Sequence, residues 1–356
     1  ATELKVAVDS QKNIYVTAKI DPTLNLGKGT IGTGIILLAQ YNETGDLGWA
    51  FSFGDTGYPT ALSVSNDGLI FLGGACNGTY TTGFGNGVSE KCQGIFLVSY
   101  SLTGLFKDRL IFSDNITGVV WNSGPTSIIV SSKGFITIAG RRNTANPCGT
   151  SILPGGSNFI AQYYPNLTCR WSFPFGNRNA SLGSVSLGAD SNDDIFIVGT
   201  ALNSDFILPD KGPITNMNSG PQAYLGKLSG DTGNPIWPTK VFGSNDVTAK
   251  SVSVDSSGNA VFVGEFSGSL NLGGIPAMLA GQDVFISKFA GNGTFLWSKT
   301  YGGTGSDFVN WSSIEPQTGI TYTLGQSTSV SIVFDGSTPL KNYGKTDWFL
   351  LQLTPP

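Results

Sequence analysis

The chain contains no histidine among its 356 residues. Serine–histidine–aspartate triads, cysteine–histidine pairs and histidine-ligated metals are therefore excluded as catalytic arrangements. Charged residues are also scarce, at 12% of the chain, and only five of them are glutamate. Paired carboxylates remain as an acid–base device, which leaves a glycoside hydrolase as a distant alternative. This scarcity of catalytic side chains predicts a protein that is not an enzyme.

A basic stripe and a long apolar run are absent as well. The net charge is −4, which argues against partners such as nucleic acid or an anionic membrane surface. No apolar stretch approaches the ~20 residues of a membrane-spanning helix, so we expect no membrane insertion. The chain begins at Ala1 rather than at Met, as it would after removal of a signal peptide.

What the chain does have is repetition. One β-rich segment recurs six times, and its clearest copy consists of Ser251–Asn259, Ala260–Gly264, Asp283–Phe289 and Trp297–Gly302. Four strands in a period of about 60 residues are typical of a β-propeller. We therefore predict an all-β fold, a six-bladed β-propeller formed by a single domain over residues 1–356. The expected blades are approximately 1–55, 56–114, 115–177, 178–244, 245–303 and 304–356.

The sixth copy lacks its fourth strand. In the fifth copy the fourth strand follows Asp283 and ends at Tyr301, whereas only nine residues follow the equivalent Asp347. The last blade is therefore predicted to lack its outer strand in this chain. There are two alternatives to an uncovered third strand. A loop could cover it, or the chain could continue beyond Pro356.

The repeat resembles the SBBP-type β-propeller repeat of secreted and cell-surface proteins. The resemblance rests on Val254–Asn259, which reads Val-Asp-Ser-Ser-Gly-Asn, and on Trp297–Gly303, which reads Trp-Ser-Lys-Thr-Tyr-Gly-Gly. Copies two to four depart from the pattern by long insertions between their second and third strands. The resemblance implies the fold and an extracellular location, but no particular activity.

The four cysteines form two local pairs in the sequence. We predict disulfides Cys76–Cys92 and Cys148–Cys169, one of three possible connectivities, and four buried thiols are the alternative. Closing loops of this length would stabilise the fold by about 3 kcal/mol each on the chain-entropy model. Disulfides indicate an oxidising compartment, in agreement with an extracellular or cell-surface protein.

Seven Asn-x-Ser/Thr sequons are candidate N-glycosylation sites. They are Asn42, Asn77, Asn115, Asn166, Asn179, Asn292 and Asn310. Three of them, Asn42, Asn166 and Asn292, occupy the same turn between third and fourth strands. The alternative is that asparagine simply suits tight turns.

Polar residues recur one position after the end of the second strand. These residues are Lys19, Arg141, Glu265 and Gln326. Such a set could bind a polar ligand, for example a glycan, and a solvated rim is the alternative. Four tryptophans, Trp49, Trp171, Trp237 and Trp297, also recur on fourth strands. They either fill the space between blades or form a sugar-stacking surface.

Acidic residues end the first strand in four of the six copies, and Asp190-Ser-Asn-Asp-Asp194 is the densest segment. Asp190, Asp193 and Asp194 are therefore candidate calcium ligands, because calcium prefers clustered oxygen atoms. The alternative is that these aspartates cap their own turns. No other cofactor is expected.

The uncovered third strand of blade six carries the functional prediction. Its run Trp348, Phe349, Leu350 and Leu351 is apolar and uncharged, and an open strand edge of this kind pairs readily with another chain. We predict a non-enzymatic extracellular structural or interaction protein. Another copy, or a different extracellular protein, would complete blade six by β-strand complementation, giving an oligomer or a filament. The alternative is a lectin-like propeller that binds carbohydrate or another small ligand.

Overall fold

The computed structural model describes residues 2–27, 31–80, 83–85, 87–113, 124–141, 148, 158–176, 185–201, 220–242, 246–273, 277–332, 340–342 and 344–355. Every regular element in these ranges is a β-strand. The chain divides into two compact units, Ala1–Pro154 with Asn158–Phe173, and Gly155–Ser157 with Pro174–Pro356. Within the described residues, nothing forms a helix of the length and apolarity that crossing a bilayer requires.

The first three sheets each contain four strands in antiparallel meander order. The first comprises β1 (Thr2–Val8), β2 (Ile14–Lys19), β3 (Ile36–Tyr41) and β4 (Leu47–Phe53). The second comprises β5 (Tyr58–Val64), β6 (Leu69–Tyr80), β7 (Glu90–Ser101) and β8 (Phe106–Ser113). The third comprises β9 (Gly124–Val130), β10 (Ile136–Arg141), β11 (Asn158–Tyr163) and β12 (Cys169–Phe175).

The last three sheets repeat this order until the final one, which has three strands. The fourth comprises β13 (Ser186–Ala189), β14 (Ile195–Ala201), β15 (Gln222–Leu228) and β16 (Pro235–Phe242). The fifth comprises β17 (Val247–Val254), β18 (Ala260–Leu270), β19 (Ala277–Phe289) and β20 (Phe295–Tyr301). The sixth comprises β21 (Asp307–Ile314), β22 (Thr321–Ser327) and β25 (Asp347–Leu353), beside a small hairpin of β23 (Ser331–Ile332) and β24 (Leu340–Lys341).

Each sheet begins with a tight hairpin whose turn is encoded locally. Between β17 and β18, the Asp255 N–H donates to the Asn259 carbonyl at 2.9 Å, and the Gly258 N–H donates to the Asp255 carbonyl at 2.9 Å. Gly258 has a φ of +76°, a conformation that glycine adopts without steric cost. The Asp255 carboxylate also accepts the Ser257 and Asn259 N–H groups, which holds the turn closed.

The core lies between neighbouring sheets within each unit. In the second unit one cluster joins Phe242 of β16 to Phe262 of β18 and Phe289 of β19. Fourth-strand tryptophans extend this packing. Trp49 Nε1–H donates to the Leu102 carbonyl of the next sheet at 2.9 Å, and Trp237 Nε1–H donates to the Gly291 carbonyl at 3.2 Å. These two contacts support the packing interpretation of the recurring tryptophans.

These findings confirm the predicted fold class: the protein is an all-β, six-bladed β-propeller whose last blade has three strands. Both predicted disulfides are also confirmed. Cys76 in β6 bonds to Cys92 in β7 with 5.6 Å between Cα atoms, and Cys148 bonds to Cys169 in β12 with 5.4 Å. The single-domain boundary stays a prediction.

Candidate functional site

Among the described residues, β25 is the outermost strand of blade six. It pairs with β22 on one side, from Thr321 opposite Leu353 to Ser327 opposite Asp347. On its other side, no strand among the described residues pairs with it, whereas the third strand of each of the other blades is followed by a fourth. A strand in this position can pair with a strand of another chain.

One face of β25 is apolar and exposed. Trp348 is 63% exposed and Leu350 is 71% exposed, whereas Phe349 and Leu351 on the opposite face pack against the core. A strand interior with two large exposed apolar side chains in one row is unusual for a protein surface, because burying each would gain about 1.5–3 kcal/mol. This row is called the blade-six row below.

Blade five shows what normally covers this row. The equivalent residues of β19 are Val284 and Ile286, which are 1% and 0% exposed. They pack in one cluster with Val309 and Ile314 of β21, so the next blade covers them. The blade-six row therefore has the composition of a blade-to-blade contact.

The first strand carries a second exposed apolar row. Leu4, Val6 and Val8 alternate along β1 and are each more than half exposed. The position of Val6, three residues before the hairpin turn, is taken by Val252 in β17, which is buried. This set, called the β1 row below, also has the composition of a blade-to-blade contact.

The predicted ligand-binding residue Glu265 is buried within the second unit. Its Oε1 accepts the Val309 N–H of β21 at 3.2 Å, and its Oε2 accepts Gln282 Nε2–H at 3.0 Å. The Lys250 ammonium lies 3.3 Å from the same Oε2. Because these contacts join β18 to β21, a ligand would have to replace them to reach the carboxylate.

The remaining members of the predicted ligand set lie at the same strand end in their own sheets. Lys19 ends β2 and is half-buried, and Gln326 lies in β22, half-buried and opposite Trp348 of β25. Arg141 ends β10, and its side chain lies outside the described residues. Of these residues, the structure gives only Glu265 a contact with a neighbouring blade. Ligand binding at this set stays a prediction.

The acidic segment predicted to bind calcium has a lysine partner. Lys227 Nζ lies 2.7 Å from Asp190 Oδ2 and 3.4 Å from Asp194 Oδ2. Asp190 Oδ1 also accepts the N–H groups of Asn192 and Asp194. These bonds agree with the alternative interpretation, in which the aspartate caps its own turn. Asp193 is buried in the same turn with a φ of +65°. Calcium there would have to displace the Lys227 ammonium, and no group of three or more acidic or cysteine residues in the described ranges is arranged to hold a metal.

Blade five repeats the same ion pair. Lys288 Nζ lies 2.7 Å from Asp255 Oδ2, and both side chains are buried. Burial raises the pKa of Asp255, but the hydrogen bonds from Lys288 and Asn259 outweigh it and hold the pKa below its ordinary value of 3.8. Sequence reasoning identified the aspartates but missed both lysines. The available signal was a lysine at the same place of the third strand in copies four and five.

The sequons use their asparagines to shape turns. Asn42 Oδ1 accepts the Thr44 N–H at 3.1 Å, and the corresponding bonds are 3.1 Å for Asn166 and 3.0 Å for Asn292. Asn166, Asn292, Asn77 and Asn310 are exposed, and Asn42 is half-buried. Asn115 and Asn179 lie outside the described residues. Glycosylation at each of the seven sequons stays a prediction.

Comparisons with known proteins were made on sequence and on structure. No protein-family model matches the chain, and no curated protein matches it in sequence. Solved structures match at the level of the fold. One is the β-propeller domain of Cps50 (Swd1) from Myceliophteria thermophila, which is 9% identical with a TM-score of 0.43 and covers 99% of this chain and 98% of that chain.

Two further structures are similar in the same way. BamB from Moraxella catarrhalis is 11% identical with a TM-score of 0.42, and the match covers 96% of this chain and 84% of that chain. Regucalcin from Agrobacterium tumefaciens, described as a calcium-binding protein, is 10% identical with a TM-score of 0.43 and coverages of 92% and 83%. At these identities and TM-scores the likenesses support no conclusion about the function of this chain.

Proposed function

We propose that this propeller is a non-enzymatic assembly subunit and that its sixth blade docks a second copy of the same chain. The observation that carries the proposal is the exposed blade-six row, Trp348 and Leu350, on the outermost strand that the structure describes in its sheet. The equivalent row of blade five is buried by the next blade. A docked copy would supply for blade six what blade six supplies for blade five.

The β1 row supplies a partner surface of the same chemistry. Apolar side chains on β1 would pack against the apolar side chains of the blade-six row, and no charge on Leu4, Val6 or Val8 would be buried by that contact. Because the two rows differ, the contact is heterologous. It therefore repeats from copy to copy and produces a ring or a filament, according to whether the rotation closes.

The open edge of β25 adds backbone hydrogen bonds to this contact. A strand of the second copy beside β25 would satisfy its outward N–H and C=O groups, as in other β-strand additions. Side-chain packing and edge pairing then act on the same blade. The proposed oligomer thus replaces the missing fourth strand of the sixth sheet.

An extracellular location and membership of the SBBP-type repeat proteins belong to the same proposal. Two disulfides support an oxidising compartment, and exposed sequons at Asn166 and Asn292 suit glycosylation. Intact-mass spectrometry of protein purified from its natural source, before and after enzymatic deglycosylation, checks the glycans. A mass of 37.3 kDa with no change on treatment would contradict glycosylation.

Light scattering after size-exclusion chromatography tests the assembly directly. We expect the natively purified protein to form species larger than the 37.3 kDa chain, and Leu350→Lys to convert them to monomers. Burying a lysine charge in an apolar contact costs several kcal/mol, which is at least a hundredfold in affinity. Leu105→Lys is the matched control, because Leu105 is an exposed leucine in the turn between β7 and β8 and should leave the assembly unchanged.

A complementation experiment separates the two surfaces. Leu350→Lys keeps the β1 row and Val6→Lys keeps the blade-six row, so each variant alone should be monomeric. An equimolar mixture should form dimers of about twice the chain mass and nothing larger, since each dimer has one intact contact and two blocked surfaces. A monomeric native protein, or a mixture that stays monomeric, would overturn the proposal.

A further inference from the structure

Two aspartates meet in the interior of the second unit, away from the blade-six row. Asp283 lies within β19 and Asp307 begins β21, and the two side chains are 0% and 1% exposed. Both approach the glycine segment that links their blades. The Gly303 N–H donates to Asp307 Oδ2 at 2.9 Å, and a Cβ atom at Gly302 would collide with Asp283 Oδ1.

Only one of the four carboxylate oxygens has hydrogen-bond donors. Asp307 Oδ2 accepts the Gly303 N–H and the Ser329 hydroxyl, the latter at 2.8 Å. Asp307 Oδ1 and both oxygens of Asp283 are buried without a hydrogen-bond partner. Within the described residues, neither carboxylate forms an ion pair with a lysine or arginine. Buried carboxylates without compensation are strongly unfavourable, so a positive species is expected between them.

The surrounding backbone is built for close approach. A Cβ atom at Gly281 would collide with the Gly305 carbonyl oxygen, and one at Gly303 would lie 2.6 Å from the Ser331 carbonyl oxygen. Glycine at these positions lets the chain segments around the two aspartates approach each other closely. Carbonyl and carboxylate oxygens together form the ligand chemistry of hard divalent cations.

Blade four places a neutral side chain where blade five has Asp283. The corresponding residue there is Gln222 of β15, which is buried. An amide therefore satisfies the packing of this position. Blade five instead has a carboxylate there, together with a second one from blade six. Blade six has an aspartate at the same position, Asp347, but that side chain is exposed, so the buried pair of carboxylates is specific to the contact between blades five and six.

We propose that Asp283 and Asp307 form a binding site for a divalent cation and that the ion is calcium. Calcium accepts carboxylates in monodentate or bidentate form, whereas magnesium keeps several waters, for which a fully buried site leaves little room. The three oxygens without partners are the protein ligands that the geometry offers. The ion would join β19 to β21 and so hold blade five to blade six.

The electrostatics of the pair agree with this assignment. Burial, and in addition the charge of Asp307, raise the pKa of Asp283 to about 6, although the Gly303 backbone lowers it in part. At pH 7.5 the Asp283 carboxylate is therefore mostly ionised, as a calcium ligand has to be.

Calorimetric titration of chelator-treated protein with CaCl2 at pH 7.5 tests the site. We expect one calcium ion to bind per chain and the melting temperature to rise by about 5 °C when calcium exceeds its Kd a hundredfold. Asp283→Asn and Asp307→Asn should each abolish the heat of binding and the thermal shift. Asp283→Asn should fold, because the buried Gln222 shows that an amide fits the equivalent position in blade four, and Asp307→Asn keeps the size of its side chain.

Asp347→Asn is the matched control, since Asp347 is the equivalent residue of blade six and is exposed. This variant should bind calcium as the wild type does. Absence of a calcium response in the wild type would overturn the proposal, as would a response that survives in Asp283→Asn. If the wild type did not respond to calcium, its melting temperatures at pH 5.5 and pH 7.5 would be compared. A higher melting temperature at pH 5.5 would identify a shared proton as the species between the carboxylates. A response to MgCl2 alone would overturn the choice of calcium.

Discussion

Replacing Lys288 by methionine should destabilise the protein by about 3 kcal/mol. The Lys288 ammonium lies 2.7 Å from Asp255 Oδ2, and both groups are buried. Methionine keeps the aliphatic packing of the side chain and removes only the charge. Breaking a buried pair by removing one partner costs roughly 3–5 kcal/mol, because the other charge stays buried without compensation. The lower end applies here, since Asp255 keeps hydrogen bonds from Ser257 and Asn259.

Urea unfolding at pH 7, followed by circular dichroism, measures this loss. Lys107→Met is the matched control, because Lys107 is an exposed lysine in β8, and it should change the free energy of unfolding by less than about 0.5 kcal/mol. The double variant Lys288→Met with Asp255→Asn should recover part of the loss, because no buried charge remains. If Lys288→Met resembled the control, the ion pair would contribute nothing and the reasoning would be refuted.

The same pair predicts the direction of a pH effect. The pKa of Asp255 in the folded protein lies below its ordinary value of 3.8, so the unfolded chain binds a proton more readily than the native state. The stabilisation is therefore fully present well above pH 3.8 and is lost as the pH falls through the lower, folded-state pKa. The stability difference between wild type and Lys288→Met should accordingly shrink between pH 5 and pH 3. A difference that grew on acidification would contradict the assignment.

Two further changes should affect stability. Trp237→Phe removes the hydrogen bond to the Gly291 carbonyl and should lower the free energy of unfolding by about 1 kcal/mol beyond the packing loss. Trp49→Phe removes the corresponding hydrogen bond to the Leu102 carbonyl and should have a similar effect. If thermal unfolding showed equal stability of wild type and variants, these indole N–H groups would contribute nothing. Replacing Cys76 and Cys92 together by serine should lower the free energy of unfolding by about 3 kcal/mol, as measured by urea unfolding without reductant, and an unchanged midpoint would count against a stabilising role for the disulfide.

Much of the fold could be predicted because its signals are local and repeated. The turn Asp255-Ser-Ser-Gly-Asn259 carries its own capping carboxylate and a glycine with positive φ, and related turns recur in other copies. Repetition then made the strand count visible, including the missing fourth strand after Asp347. The local spacing of the cysteines likewise sufficed to pair Cys76 with Cys92 and Cys148 with Cys169.

The candidate sites depended on contacts that the repeat pattern does not encode. Glu265 was aligned with Lys19, Arg141 and Gln326 as a candidate ligand-binding residue, but a β21 backbone N–H and Lys250 contact its carboxylate. Lys288 reaches a turn 33 positions earlier in the chain, and nothing in the local sequence specifies that contact. Side chains at equivalent positions thus have different surroundings, because the blade that follows differs in composition.

The sequence by itself determined the strands, the turns, the blade count and the pairing of cysteines, because each follows from alternation, turn chemistry or short separation along the chain. The tertiary structure alone decided which side chains are covered. Trp348 and Val284 hold the same place in their strands, yet Trp348 is exposed, whereas Val284 is buried against Val309 and Ile314 of the next blade. Asp283 and Asp307 became a pair for the same reason: two strands from successive blades bring their carboxylates together in a space from which water is excluded.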